Sequence, residues 1–500
     1  MKGIKRSLGF ELEKAVEENL GGVVMSSNWP TVTIQELIDD GVILVHKDGN
    51  HGSNYPRTAE FGEEGIPFLT AKLLDDSGNI DFDSAPRLST DKANKFKFGF
   101  LEPNDVLLSH NATVGRVAVV PAIKERMLIG TSLTHYRLDS SRLLPKYLAA
   151  YFSGIAFQNQ LASVMSQTTR NQVPITSQRK LSVVVPPIED QKIIADMLGA
   201  FDDKIQNNTQ TNQTLEQIAQ AIFKSWFVDF DPVRAKIETL AAGGSADDAE
   251  LAAMRVISAK TLDELNSLKA SNPEAFNKLA QTATLFPAAM QDSELGEIPV
   301  GWEISEIGNE VIVVGGGTPS TKNTEFWEDG TIHWTTPKDM SGLNCKVLTN
   351  TDRKITEAGL KKISSGLLSK NTVLMSSRAP VGYLALAKIP VAINQGYIAM
   401  KCEGRLSPEY VLLWCEHNME EIKQRASGTT FAEISKANFK PIPVIVPTKS
   451  IIDTFTVQAS DIYNIVHANV LQSETLSISR DLLLPQLLSG ELSDVFKDGE

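Results

Sequence analysis

Along this chain, short apolar runs bounded by Gly, Pro and Asn alternate with helical stretches, and the alternation occurs twice. Val106–Leu108, "RVAVV" (116–120), "LSVVVP" (181–186) and "PVIVP" (443–447) predict strands. Residues 144–164 place Leu148, Tyr151, Phe152, Ile155 and Leu161 at helical spacing. Two longer seams follow. Ile194, Leu198, Phe201, Ile205, Asn208, Asn212, Leu215, Ala219, Ile222 and Trp226 fall at steps of four and three, a sustained heptad pattern. A shift of 261 positions yields Phe455, Ala459, Ile462, Val466, Asn469, Ser473, Leu476, Arg480, Leu483 and Leu487, the same seam with a more polar middle. Asn208 and Asn469 coincide where an apolar residue would pack better, and a polar residue at such a place fixes register at some loss of stability.

The duplication reaches individual residues. "NDVLLSHNATVGRVA" (104–118) and "NTVLMSSRAPVGYLA" (371–385) agree at eight of fifteen positions, among them Asn104/Asn371, Ser109/Ser376, Ala112/Ala379 and Gly115/Gly382. "IPFLTAK" (66–72) answers "IHWTTPK" (332–338), and "LPKYLAAYF" (144–152) answers "SPEYVLLWC" (407–415). "TTRNQVPITSQRKLSVVVP" (168–186) answers "TTFAEISKANFKPIPVIVP" (429–447), and Trp29 and Trp302 head the copies. The expected organisation is an extension (1–27), a first α/β or α+β domain (28–187) and a long helix (188–230). A helical insert or linker (231–296), a second domain (297–447), a second long helix (448–492) and a tail (493–500) complete it. Antiparallel pairing of the two helices within one chain is expected, holding two similar globes apart as a ruler. A plain dimerisation coil is the alternative.

Net charge changes the picture once it is divided. The chain carries −13 overall, yet residues 28–187 and 297–447 each hold 16 basic and 16 acidic residues. The acidity lies in the helical connecting segments, so the low overall pI says nothing against a nucleic-acid partner. No apolar run approaches the roughly 18–20 residues of a membrane span. Three cysteines form no disulfide framework, so a cytoplasmic protein is expected. Cys402, Cys415 and His417 match no zinc spacing, and no metal site is expected.

Phe223, Trp226, Phe227 and Phe230 end the first seam at i, i+3, i+4, i+7. Such a stripe is either helical core or a docking point for a partner protein. Pro232 is expected to end the helix, and residues 233–290 are Ala-rich, helix-patterned and without a second copy.

Catalytic motifs are missing. There is no P-loop, no G-x-G-x-x-G, no G-x-S-x-G and no H-E-x-x-H, and "VGGGTPST" (314–321) suits an open loop better than a phosphate cradle. What recurs in both copies is Trp, Ser, Thr, Lys, Asn and Gly in loops, a composition suited to phosphates and base edges.

"IFKSWFVDFDPV" (222–233) after a heptad helix, "DSELGEIPVGW" (292–302) before the second copy and "RDLLLPQLLSGEL" (480–492) at its end resemble the specificity subunit of type I restriction-modification systems. The likeness covers residues 28–492; the 1–27 extension and the insert of about sixty residues depart from it. It implies two target-recognition domains, each followed by a long helix, the helices packed antiparallel. It also implies double-stranded DNA as a partner, two methyltransferase subunits and, optionally, two motor-nuclease subunits. The chemistry would belong to those partners: adenine-N6 methylation with S-adenosylmethionine, and restriction with ATP and Mg. This chain would be non-catalytic and bind no cofactor itself. A methylation-only system and a duplicated interaction scaffold that never touches DNA are the alternatives.

Under that resemblance two copies exist because the target is two half-sites, gapped by on the order of one helical turn (roughly 34–36 Å). DNA contact is then expected from the loops of both copies, with specificity where those loops differ. In the first copy the candidates are Ser109, His110, Asn111, Thr113, Thr169, Arg170, Asn171 and Gln172. In the second they are Thr318, Ser320, Ser376, Ser377, Arg378, Thr430 and Phe431. Arg378 suits guanine and Asn111 adenine. Lys72 and Lys338 recur in register and are expected on phosphates.

Overall fold

The computed structural model describes residues 29–49, 52–75, 77–166, 171–428 and 432–489. The chain divides into two compact units, one of residues up to Gln206 with those from Ser473 onward, the other Asn207–Gln472. Helix and strand are mixed in both.

In the first unit a four-stranded antiparallel sheet runs in the order Ile43–Asp48, Leu133–Leu138, Val106–Ser109, Val117–Val119. A second sheet holds Phe61–Gly62, Arg87–Leu88, Ile66–Leu69 and Leu128–Ile129, the last two parallel. Thr31–Thr33 pairs with Ser182–Val184 and closes the two ends of the domain on each other. The second unit repeats the central strand order. Ile312–Val314, Tyr397–Lys401, Val373–Ser376 and Leu384–Ala387 follow the same order, with Val347–Leu348 added at the edge. Arg353–Ile355, Ile332–Thr335 and Ala392–Ile393 form the smaller sheet, and Glu303–Glu306 pairs with Pro443–Val446 as the closing strands. These runs are strands because Val, Ile, Leu and Ala fill both faces; all four residues of Val106–Ser109 and of Val373–Ser376 are buried.

The expected helix over 144–164 is two helices, Pro145–Ser153 and Ile155–Ser166, separated at Gly154. The two seams lie on helices Ile188–Phe227 and Lys449–Ser489, of 40 and 41 residues. Each is about 60 Å long at 1.5 Å per residue. In the first unit Ile194, Ala195 and Leu198 share a core with Leu483, Leu484 and Leu487, and Arg480 Nη1 donates to Asp202 Oδ1 at 2.6 Å. In the second, Ala219, Phe223 and Trp226 share a core with Phe455, Ala459, Tyr463 and Val466. The early part of one helix therefore meets the late part of the other, an antiparallel pair. In the second unit Asn208 Nδ2 donates to Gln472 Oε1 at 2.9 Å, and Asn469 Nδ2 to Asn212 Oδ1 at 2.9 Å. The seam's polar residues thus satisfy one another across the pair.

Pro232 does not end the first long helix. That helix stops at Phe227, Phe230 takes a left-handed backbone (φ 56°), and Pro232 lies in the first turn of Asp231–Ala241, where its missing N–H is harmless. Ala246–Ser258, Leu262–Ser271 and Pro273–Thr284 follow, and the hairpin Met290–Ser293/Gly296–Pro299 leads into the second domain. Lys236, buried among the insert helices, donates to Glu250 Oε1 at 2.8 Å and to the Phe286 carbonyl at 2.7 Å, so its charge is paired.

Candidate nucleic-acid interface

The repeated fifteen-residue motif is a hairpin whose loop closes with the same three hydrogen bonds in both units. Ser109 N–H donates to the Arg116 carbonyl at 2.8 Å, and Arg116 N–H to Ser109 Oγ at 2.8 Å. Ser376 and Tyr383 repeat both bonds, at 2.9 and 2.8 Å. Gly115 N–H and Gly382 N–H reach back to the Ser109 and Ser376 carbonyls at 2.9 and 3.1 Å. Three of the identical pairs have positive φ: Asn104 and Asn371 at 71° and 64°, Ala112 and Ala379 at 65° and 55°, Gly115 and Gly382 at 101° and 111°. The identities therefore record a backbone path that few side chains tolerate. A Cβ on Gly115 would lie 2.3 Å from Gln158 Oε1, and one on Gly382 2.6 Å from Met419 Sδ.

Three further segments meet this loop. His110 N–H donates to the Ser132 carbonyl at 3.0 Å and Val173 N–H to the His110 carbonyl at 2.8 Å. The second unit repeats these bonds from Ser377 to Gly396 at 2.8 Å and from Ile434 to Ser377 at 3.0 Å. Asn111 faces Gln172 in an isolated bridge, as Arg378 faces Glu433. Ala71 N–H donates to Ser132 Oγ at 2.8 Å, and Asn394 N–H to the Thr335 carbonyl at 3.0 Å. Each unit thus gathers, at one end of its sheets, the turn carrying Lys72 or Lys338, the hairpin loop, and the segment after Asn171 or before Ile434.

The candidates fall into groups on this surface. Lys72, Thr318, Ser320, Lys338 and Asn171 are exposed, and Asn111, Thr113, Gln172 and Arg378 are partly exposed. Lys338 Nζ stands 3.9 Å from Asp352 Oδ2, both side chains mostly in solvent, a pair too exposed to hold the lysine. Arg378 Nη1 lies 3.7 Å from Glu433 Oε2. Thr318 Oγ1 donates to Gln395 Oε1 at 2.6 Å. Thr169, Arg170, Thr430 and Phe431 lie outside the described residues, as do the 1–27 extension and the 493–500 tail.

Four candidates are corrected. Ser109, His110, Ser376 and Ser377 are buried, and their polar groups are used inside the domain. The Ser109 and Ser376 hydroxyls close the hairpin, Ser376 Oγ also donating to the Pro380 carbonyl at 2.7 Å, and Ser377 is held through its backbone. His110 Nδ1 pairs with Thr134 Oγ1 at 2.9 Å, and burial holds its pKa below the ordinary imidazole value. Docking through Phe223, Trp226, Phe227 and Phe230 is also corrected. All four are at most 5% exposed, packed on Trp302, Tyr410 and Phe455 at ring separations of 4.9–6.2 Å. Aromatic area of that size is stabilised most by burial within the chain, and the core alternative is the one realised.

Behind the first unit's loop lies a polar network that no sequence signal indicated. Gln178, wholly buried, accepts from Tyr136 Oη at 2.7 Å and lies 3.2 Å from His46 Nε2 through the same Oε1. Its Nε2 donates to Thr134 Oγ1 and to the Val173 carbonyl, each at 3.0 Å. Burial pushes the His46 pKa down from 6.5 to about 4, with Gln178 opposing. Asp105 is raised by burial, but its bonds from Arg137 and His135 outweigh this and leave it below the usual carboxylate range. Register matching puts Val313, Ile398, Met400 and Phe439 of the second unit where the first has His46, Thr134, Tyr136 and Gln178.

A model of the "Type I restriction modification DNA specificity domain" matches residues 49–217 and 299–462, once on each copy. The chain is 37% identical over 395 residues to the type I restriction enzyme HindI specificity subunit of Haemophilus influenzae, covering 76% of this chain and 84% of that one. It is 34% identical over 160 residues to the type I restriction enzyme MjaIX specificity subunit of Methanocaldococcus jannaschii, 32% of this chain and 37% of that one. Among solved structures, the type I restriction-modification S subunit of M. genitalium is similar at a TM-score of 0.45 and 14% identity, over 92% of this chain and 96% of that one. With the family's domain matched twice, on the two halves of a duplication already evident in loops and strands, the chain belongs to the type I restriction-modification specificity subunits.

Proposed function

We propose that this chain reads a bipartite, gapped DNA sequence, one half with each unit, for a type I restriction-modification complex. It supplies sequence recognition and no chemistry. Two methyltransferase subunits bound to it carry S-adenosylmethionine and methylate adenine N6, and motor-nuclease subunits using ATP and Mg add restriction where they are present. The paired long helices set the gap between the two halves. The observation that carries this reading is the loop pair 109–116 and 376–383. The same closing hydrogen bonds present Asn111 and Thr113 in one unit and Arg378 in the other. A shared frame with different exposed polar groups is what reading two different half-sites requires. Exposed Lys72 and Lys338, at matched positions beside these loops, suit phosphates on either half.

Modified-base sequencing of DNA from cells making this chain with its methyltransferase partner, against cells lacking the chain, tests the proposal. A two-part motif with N6-methyladenine in each half, lost without the chain, is the expected result. Methylation indifferent to the chain would reject it in favour of a scaffold that never touches DNA.

A further inference from the structure

We infer that Gln395 is a base-reading residue of the second unit, oriented by Thr318 to recognise adenine. Its backbone is held on both sides. Asn394 Oδ1 accepts from Gly396 N–H at 2.8 Å, and the Gly396 carbonyl accepts from Ser377 N–H at 2.8 Å. Gln395 is therefore the exposed tip of a tight turn set directly against the hairpin loop that carries Arg378.

The side chain is fixed as well. Thr318 Oγ1 donates to Gln395 Oε1 at 2.6 Å. Thr318 is itself placed by the glycine-rich loop, which is pinned from below. Trp334 Nε1 donates to the Gly317 carbonyl at 3.1 Å, and Gly317 N–H to the Ile393 carbonyl at 2.9 Å. Gly316 lies so close to the 393–394 backbone that a Cβ would come within 2.0 Å of the Ile393 carbonyl. The loop read from sequence as open is thus laid flat on the turn that presents Gln395, and its threonine meets the glutamine across 77 residues of chain.

An exposed glutamine ordinarily loses side-chain freedom on binding, which subtracts from affinity. Here the Thr318 bond favours one rotamer beforehand. A carboxamide whose oxygen retains a second lone pair and whose nitrogen has two hydrogens matches adenine N6 and N7 in the major groove. The repeated motif does not contain this residue. This inference rests on the DNA-reading function proposed above.

The test is the methylated motif produced by the full chain with its methyltransferase partner, for wild type, Gln395→Ala, Gln395→Glu and Thr318→Val. Gln395→Ala is expected to relax one adenine position in one half by about tenfold or more, leaving the other half unchanged. Thr318→Val relaxes the same position less, and Gln395→Glu, now only an acceptor, moves the preference there toward cytosine. An unchanged motif in Gln395→Ala, or a loss of methylation uniform over all positions, overturns the assignment. If the wild-type chain directs no motif at all, the DNA-reading function fails first and the Gln395 assignment falls with it.

Discussion

Gln178 and Phe439 occupy the same place in two copies of one domain, both wholly buried, one as the centre of four polar contacts and the other as an apolar plug. The first unit has therefore placed titratable groups behind its loop where the second has none at the matched strand positions. His46 is neutral in the fold with a pKa of about 4, against 6.5 for the ordinary imidazole. Between those values the unfolded chain binds a proton that the folded one refuses, so stability falls as the pH is lowered through that window. The displacement corresponds to about 3 kcal/mol in total. Hydrogen exchange at pH 7 and pH 5 should show amides of residues 43–48 and 133–138 losing protection, while those of 373–376 and 397–401 hold. His46→Val, copying Val313, should flatten the response; equal acid sensitivity in both units would refute this account.

Alanine at Gly115 or Gly382 should destabilise its unit by about 1–3 kcal/mol, since each combines φ above 100° with a Cβ clash. Met419 is the more yielding neighbour, because a thioether swings away more readily than a glutamine that also donates to the Gly115 carbonyl. Thermal denaturation should rank Gly115→Ala as the worse of the two.

Ser376→Ala and Arg378→Ala separate frame from reading. Removing the Ser376 hydroxyl leaves the half-buried Tyr383 N–H and the exposed Pro380 carbonyl each short of a partner, at about 0.5–1.5 kcal/mol, with the methylated motif intact. Arg378→Ala should cost little stability and alter one base preference. A changed motif in Ser376→Ala would put that serine back at the interface.

Asn469→Leu leaves buried Asn212 without its 2.9 Å donor and should destabilise the helix pair by about 1–3 kcal/mol. Adding Asn212→Leu should recover that loss and more, giving a favourable coupling in a double-mutant cycle. Additive effects would mean that the two asparagines do not share a bond.

A heptad inserted into both long helices lengthens each by about 10 Å, close to three base pairs of DNA. The expected outcome is a methylated motif with unchanged halves and a gap longer by about three. An unchanged gap with retained activity would remove the helices from the role of ruler.

Much of this organisation was legible because duplication and periodicity are properties of the chain itself. The shared loop motif, the strand runs and both heptad seams were all readable. Side-chain direction at the loop base was not. Ser109 and Ser376 look like ligands on paper, yet their hydroxyls are turned inward by a hydrogen bond seven residues on. The stripe Phe223–Phe230 carried the same pattern whether it met a partner or its own domain, and only the distant Trp302, Tyr410 and Phe455 decide that. Gln395 was invisible for the opposite reason, lying outside the repeated motif and owing its orientation to a residue 77 positions away.

The strand pairs Thr31–Thr33 with Ser182–Val184, and Glu303–Glu306 with Pro443–Val446, bring the entry and exit of each recognition domain side by side. A domain tied off at a single clasp can be exchanged as a cassette: the chain need only be cut and rejoined at two neighbouring points. Two neighbouring cuts would carry a whole domain with its loops, and the clasp would keep the transplanted domain self-contained.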